Sequence, residues 1–226
     1  NPHNPVGIQW DVDTLRKVAS LAAKYGVIVV SDEIHGDLML DRRAHYPFAS
    51  VSEEAASVAV TLGAPSKTFN IAGLVSSWCV IKDEKLRKGF FQWLETNEFN
   101  APTFTAIIGT MAAYDHCEDW LDEMLEYIVG NIDETERLLE ELAPEIRMVR
   151  PEASFLVWLD CRGLGLDHSH LIDMFVDKAH LALNDGAMFG AEGEGFMRMN
   201  VGCPRSMLRH AVESLAGALH RVEAEV

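Results

Sequence analysis

Lys67 lies in the stretch Ala64-Pro65-Ser66-Lys67-Thr68-Phe69-Asn70, directly after the apolar run "SVAVTLG" at 57–63. An amine just past a buried strand can cap a loop in water, or it can condense with a carbonyl carbon as a Schiff base. A second apolar run, "VIVV" at 27–30, leads into Ser31, Asp32, Glu33 and His35. Arg198 sits inside the alternating stretch "FMRMN" at 196–200. An unpaired charge among apolar neighbours is costly, so Arg198 calls for an anionic ligand or a buried ion pair.

The elements that must position these groups can be read from periodicity. Leu15, Val18, Ala19, Ala22 and Tyr25 form a helical stripe that Gly26 stops. "VIVVSDE", "SVAVTLG" and "SSWCVIK" have the length and apolar continuity of strands buried on both faces of a parallel or mixed sheet. Ligands of open α/β sheets sit outside the carboxyl ends of the strands. If the first two runs are neighbours, a carboxylate, an imidazole and an amine converge there. Pyridoxal phosphate (PLP) needs an amine for its aldehyde and a carboxylate at its ring nitrogen, which Lys67 and Asp32 would supply. It also needs hydrogen bonds to its phenolic oxygen and a cradle for its phosphate.

The middle of the chain reads as helical. Residues 118–143 carry a stripe from Leu121 to Leu142, interrupted by Gly130 and ended by Pro144. After 145 the character changes. "SFLVWLD", "LALN" and "FMRMN" read as short strands and "HLIDMFVDKAH" as a helix. A terminal helix after Pro204 has a stripe at Leu208, Val212, Leu215, Leu219 and Val222. The expected organisation is a large-domain part over 1–117, a linking helix over 118–144 and a small α/β domain over 145–226.

Composition narrows the function classes. Of 226 residues, 48% are hydrophobic, enough for a core, and the net charge is −16, which disfavours nucleic acid and anionic membranes as partners. No apolar run reaches bilayer-spanning length, and "NPHNPVG" is not a signal peptide. Cys79, Cys117, Cys161 and Cys203 are too evenly spread for a metal pattern or compact disulfide framework, and read as reduced, mostly buried thiols of a cytoplasmic protein. His168 and His170 have no obvious partners, so no metal site is expected.

The segments "NPHNPVG", "SDEIHGD", "SKTFNIAGL" and "FMRMNVGCPR" stand in the order and at about the spacing of the class I/II aminotransferase family of fold-type-I PLP enzymes. The details resemble its carbon–sulfur lyase (cystathionine β-lyase-like) branch. The resemblance covers essentially the whole chain, as the C-terminal portion of a longer enzyme. It implies an α/β fold, a three-layer α/β/α large-domain part with a small C-terminal domain. It implies that Lys67 forms the internal aldimine, Asp32 pairs with the pyridinium nitrogen, and Asn4 hydrogen-bonds the phenolic oxygen with His35 beside it. Arg198 would clamp the substrate carboxylate, and Ser66 would contact the phosphate.

Each residue also has a plainer reading. Asn4 could be a turn former, Asp32 and Glu33 a strand-end acidic pair, His35 a packed loop histidine and Ser66 structural. Ala64 and Val75 stand where aminotransferases of the family often place a serine and an arginine on the phosphate. The expected activity is a β-lyase releasing pyruvate, ammonia and a thiol from cystathionine- or cysteine-like amino acids, in a homodimer. An aminotransferase is the alternative, and a non-catalytic fragment of such an enzyme is a further one.

Overall fold

In the computed structural model, which describes residues 1–223, the chain forms two compact units. Residues 1–3 and 8–125 make the first. Residues 4–7 and the chain from Glu126 onward make the second.

The first unit opens with α1, Val12–Tyr25. The Asp11 side chain caps it by accepting from the Thr14 N–H at 2.8 Å, and Gly26 ends it in the left-handed conformation. The chain then enters β1, Val29–Asp32. Helix α2, Glu53–Val58, leads directly into β2, Ala59–Gly63, which runs parallel to β1. Strand β3, Trp78–Val80, adds antiparallel on the other side of β2, giving the order β1-β2-β3. Leu15, Ala19 and Ala22 of α1 pack with Phe48, Ala55, Val58 and Ala59. At roughly 1.5–3 kcal/mol per large buried apolar side chain, Leu15 and Phe48 dominate that cluster.

A one-turn helix α3, Pro65–Thr68, follows β2. Helices α4, Glu84–Thr96, and α5, Phe104–His116, come next, and α6, Glu118–Leu142, runs on into the second unit. Two expectations fail here. Neither β1 nor β3 is buried on both faces, because they are the two edge strands of the three, and Val30 is 62% and Val80 57% exposed.

The second unit is built on an antiparallel sheet in the order β4-β5-β7-β6. Its strands are β4, Arg147–Val149, β5, Leu156–Asp160, β6, Asn184–Asp185, and β7, Phe196–Asn200. Of "LALN" only Asn184 is in a strand. Helix α7, His168–Asp173, continues into a π turn over Met174–Lys178, and α8 spans Arg205–Glu223. Val157, Leu159, Met197, Phe175, Leu208 and Val212 form the interior. The predicted Val222 contact lies outside the described side chains.

Helix α6 passes through Gly130 without interruption. The glycine makes room for a neighbour rather than a break, since a Cβ there would lie 2.6 Å from Arg205 Nη2. Buried Asn131 donates to the carbonyls of Val201 and Cys203 at 2.8 and 2.9 Å, tying α6 to the chain after β7. Only Cys161 of the four thiols is fully buried, and burial pushes it up to about 12. No described helix is long and apolar enough to cross a membrane.

The segment 4–7 is fixed to the second unit through Gly7, whose carbonyl accepts from the N–H groups of Glu152 and Ala153 at 2.9 Å each. Gly7 has φ +74°, and a Cβ there would meet Pro151 Cβ at 2.5 Å and the Ala153 carbonyl oxygen at 2.7 Å. Gly7→Ala is therefore strained in its backbone and overpacked, and should cost about 1–3 kcal/mol. A lowered thermal midpoint checks this, and an unchanged midpoint would refute the close packing.

Candidate functional site

Asp32 ends β1 opposite Leu62 of β2, and Lys67 follows five residues later on α3. The two strands are parallel, so both side chains lie at carboxyl ends of neighbouring strands. Pro65 opens α3 at a position that has no N–H to satisfy. Thr68 is wholly buried, and its hydroxyl donates to Asp37 Oδ2 at 3.1 Å. Phe69 packs edge-on against Tyr114 with centroids 5.3 Å apart. Lys67 thus projects into solvent from a turn whose next two residues are anchored.

Among the described residues, Lys67 has no hydrogen bond or ion pair. Asp32 is also exposed, with Oδ1 accepting from the Ile34 N–H at 3.1 Å. No bond joins Lys67 to Asp32. His35 is buried and Ser66 half-buried, both beside these strand ends.

Asn4 and Arg198 belong to the second unit, and there they meet. Arg198 Nη1 donates to Asn4 Oδ1 at 2.8 Å, and Nη2 donates to Asn184 Oδ1 at 2.7 Å. The guanidinium carbon lies 4.8 Å from the centroid of Phe189. Desolvation pulls the Arg198 pKa below its ordinary value, and no carboxylate pairs with it among the described residues. Its Nε is buried without a hydrogen-bond partner. A partly desolvated cation held by amide oxygens and a ring face keeps its charge uncompensated, which would favour an anion beside it.

Residues 1–215 match the aminotransferase class I and II family. The chain belongs to that family. Among its relatives is the cystathionine β-lyase PatB of Bacillus subtilis, 42% identical over 97% of this chain and 57% of that protein. A PLP-bound putative aminotransferase from Clostridium difficile superposes with a TM-score of 0.94 at 40% identity, over 97% of this chain and 57% of its own. Cystalysin from Treponema denticola, whose structure contains PLP, superposes at 0.92 with 33% identity, over 98% of this chain and 56% of its own. The chain therefore spans a little over half the length of the proteins it matches.

The residues present fit the ring end of the family's cofactor. Lys67 offers an unengaged amine and Asp32 a carboxylate with one oxygen free of described partners. The phosphate end is barer. Ala64 is buried, and Val75 is 82% exposed at φ +52° and carries no charge, so Ser66 is the one candidate left from the sequence.

Reasoning from the sequence missed a polar cluster on the opposite face of β1. Glu33 Oε1 accepts from the Ser31 hydroxyl and the Phe48 N–H at 2.9 Å each. Its Oε2 meets His45 Nε2 at 2.9 Å. His45 Nδ1 in turn meets Gln9 Oε1 at 3.1 Å, and that oxygen also accepts from the Tyr46 N–H. Gln9 Nε2 donates to the Ala44 carbonyl, which fixes the amide's orientation. A cavity of about 650 Å³ lies against this face, lined by Glu33, His45, Thr61 and Trp78 but not by Asp32 or Lys67. His168 and His170 pair with Asp185 and Asp167.

Burial alone would raise the Glu33 pKa. The bonds from His45, Phe48 and Ser31 outweigh it and leave the carboxyl below the usual 4.5. A group with a depressed folded pKa stabilises above its unfolded value and loses that contribution as pH falls through the folded one. The stability gap between wild type and Glu33→Gln should therefore be full at neutral pH and shrink below about 4.5. Denaturant midpoints across that range check this, and a constant gap would show that Glu33 is not held ionised.

Proposed function

We propose that this protein is a PLP-dependent carbon–sulfur β-lyase acting on cystathionine- or cysteine-like amino acids. The observation that carries the reading is the pairing of β1 with β2, which puts the unengaged Lys67 amine and the Asp32 carboxylate at adjacent strand ends. The lyase branch is favoured by the 42% identity to a cystathionine β-lyase.

Pyridoxal phosphate supplies an aldehyde for amines and a protonated ring that draws electrons from the substrate's α-carbon. Lys67 Nζ would hold that aldehyde, and as a free amine it would be the base for the substrate's α-proton. Asp32 would hold the proton on the ring nitrogen. Arg198 receives the α-carboxylate on N–H groups not used by Asn4 and Asn184. The Asn4 Oδ1 is committed to Arg198, which leaves its amide N–H groups for the phenolic oxygen. His35 is assigned beside that oxygen and Ser66 to the phosphate. The β-carbon–sulfur bond would break with its electron pair leaving on sulfur, and the thiolate would take the proton that Lys67 Nζ had removed from the α-carbon. Water then converts the remaining three-carbon unit to pyruvate and ammonia.

Four free thiols suit a reducing compartment, and we place the protein in the cytoplasm. Exposed Phe104, Ile108 and Met111 on α5 give an apolar face consistent with a homodimer.

Incubation with PLP followed by borohydride reduction should label Lys67 alone, as mapped by mass spectrometry, and Lys67→Arg should carry no label at that position. Label scattered over surface lysines would overturn the assignment. Release of pyruvate from cystathionine supports the lyase, whereas keto-acid-dependent amino transfer alone would make the protein an aminotransferase.

A further inference from the structure

Arg198 is oriented entirely by neutral groups, although the chain has 35 acidic residues against 19 Lys and Arg. Asn184 is its direct cross-strand partner in the β6–β7 ladder. The amide oxygen of Asn184 takes Nη2 at 2.7 Å, while Asn4 takes Nη1 at 2.8 Å. The face of the guanidinium rests on Phe189, whose ring is held edge-on by buried Trp158 with centroids 5.7 Å apart.

The next residue is an aspartate, and it is kept away from the arginine. Strand alternation turns Asp185 off Arg198 and pairs it with Met197 in the ladder. Asp185 Oδ1 accepts from the Ala187 N–H at 2.9 Å, and Oδ2 faces His168 Nε2 at 3.2 Å. The position touching Arg198 thus carries an amide, while the position beside it carries a carboxylate with other partners.

We propose that Asn184 is the positioning residue that aims the Arg198 fork while leaving its charge uncompensated for a carboxylate ligand. This rests on the reading that Arg198 holds the substrate carboxylate. An aspartate would offer an oxygen in nearly the same place, but would form a charge-assisted pair with Arg198 and repel the incoming anion. An alanine would release Nη2 and leave the fork anchored from Asn4 alone.

The test follows the side-chain nitrogen signals of Arg198 by NMR while acetate is titrated at ionic strength held constant with chloride. Wild type, Asn184→Ala and Asn184→Asp are compared, with Arg198→Gln as the control that removes the signal. Wild type should bind most tightly, Asn184→Ala about three- to tenfold more weakly, and Asn184→Asp at least about tenfold more weakly than wild type. Asn184→Asp should melt no lower than wild type, since it gains an ion pair, so the loss of binding is separated from loss of structure. Equal binding by wild type and Asn184→Asp would overturn the role of Asn184 and leave the carboxylate reading intact. If Asn184→Asp fails to fold, equal binding by wild type and Asn184→Ala overturns it instead. No acetate response at Arg198 in wild type would remove the carboxylate reading and this inference with it.

Discussion

The parallel pairing of β1 on β2 is the constraint that brings Asp32 and the turn carrying Lys67 to one edge of the first unit. A parallel pair brings two carboxyl ends to the same edge, and the register sets Asp32 against Leu62. The loop after β1 and the turn after β2 therefore start from the same level. A one-residue slip of β1 would exchange the faces of Asp32 and Ser31. The buried run Ala59–Thr61 resists that slip, because its side chains are already committed to both faces.

The second unit solves a different problem, that of keeping a cation available. Arg198 lies between buried Met197 and Met199, where its charge is partly desolvated. A carboxylate partner would relieve that cost and also fill the place a ligand carboxylate needs. Amide oxygens from Asn4 and Asn184 provide direction without cancelling the charge, and the Phe189 face adds an attraction that works best away from water. An anion bound beside the guanidinium would offset the remaining electrostatic cost.

Much of this was legible in the sequence because it depends on local pattern. The α1 stripe, its Gly26 end, the β2 run and the alternation around Arg198 were all readable. The exposure of Val30 was not, since a continuous apolar run looks the same in a central strand and at an edge. Gly130 misled for a related reason. A glycine in a helix suggests a break until the Arg205 side chain packed over it is seen. Asn184, Asp37 and His45 carried no signal, because their partners are 14, 31 and 12 residues away and such pairings arise only on folding.

Asp32 and Glu33 show how one dipeptide is divided between two tasks. The strand pleat sends successive side chains to opposite faces, and at the end of β1 this separates two carboxylates with nearly the same intrinsic acidity. Glu33 turns inward, where three donors hold it ionised and satisfied, so it has no capacity left for a ligand. Asp32 turns outward with a single backbone bond and an open oxygen. Glu33 thereby secures the strand end from which Asp32 projects, tying Ser31, Phe48 and His45 to it. The less conspicuous partner of the pair fixes the geometry, and the exposed one keeps an oxygen open to a ligand.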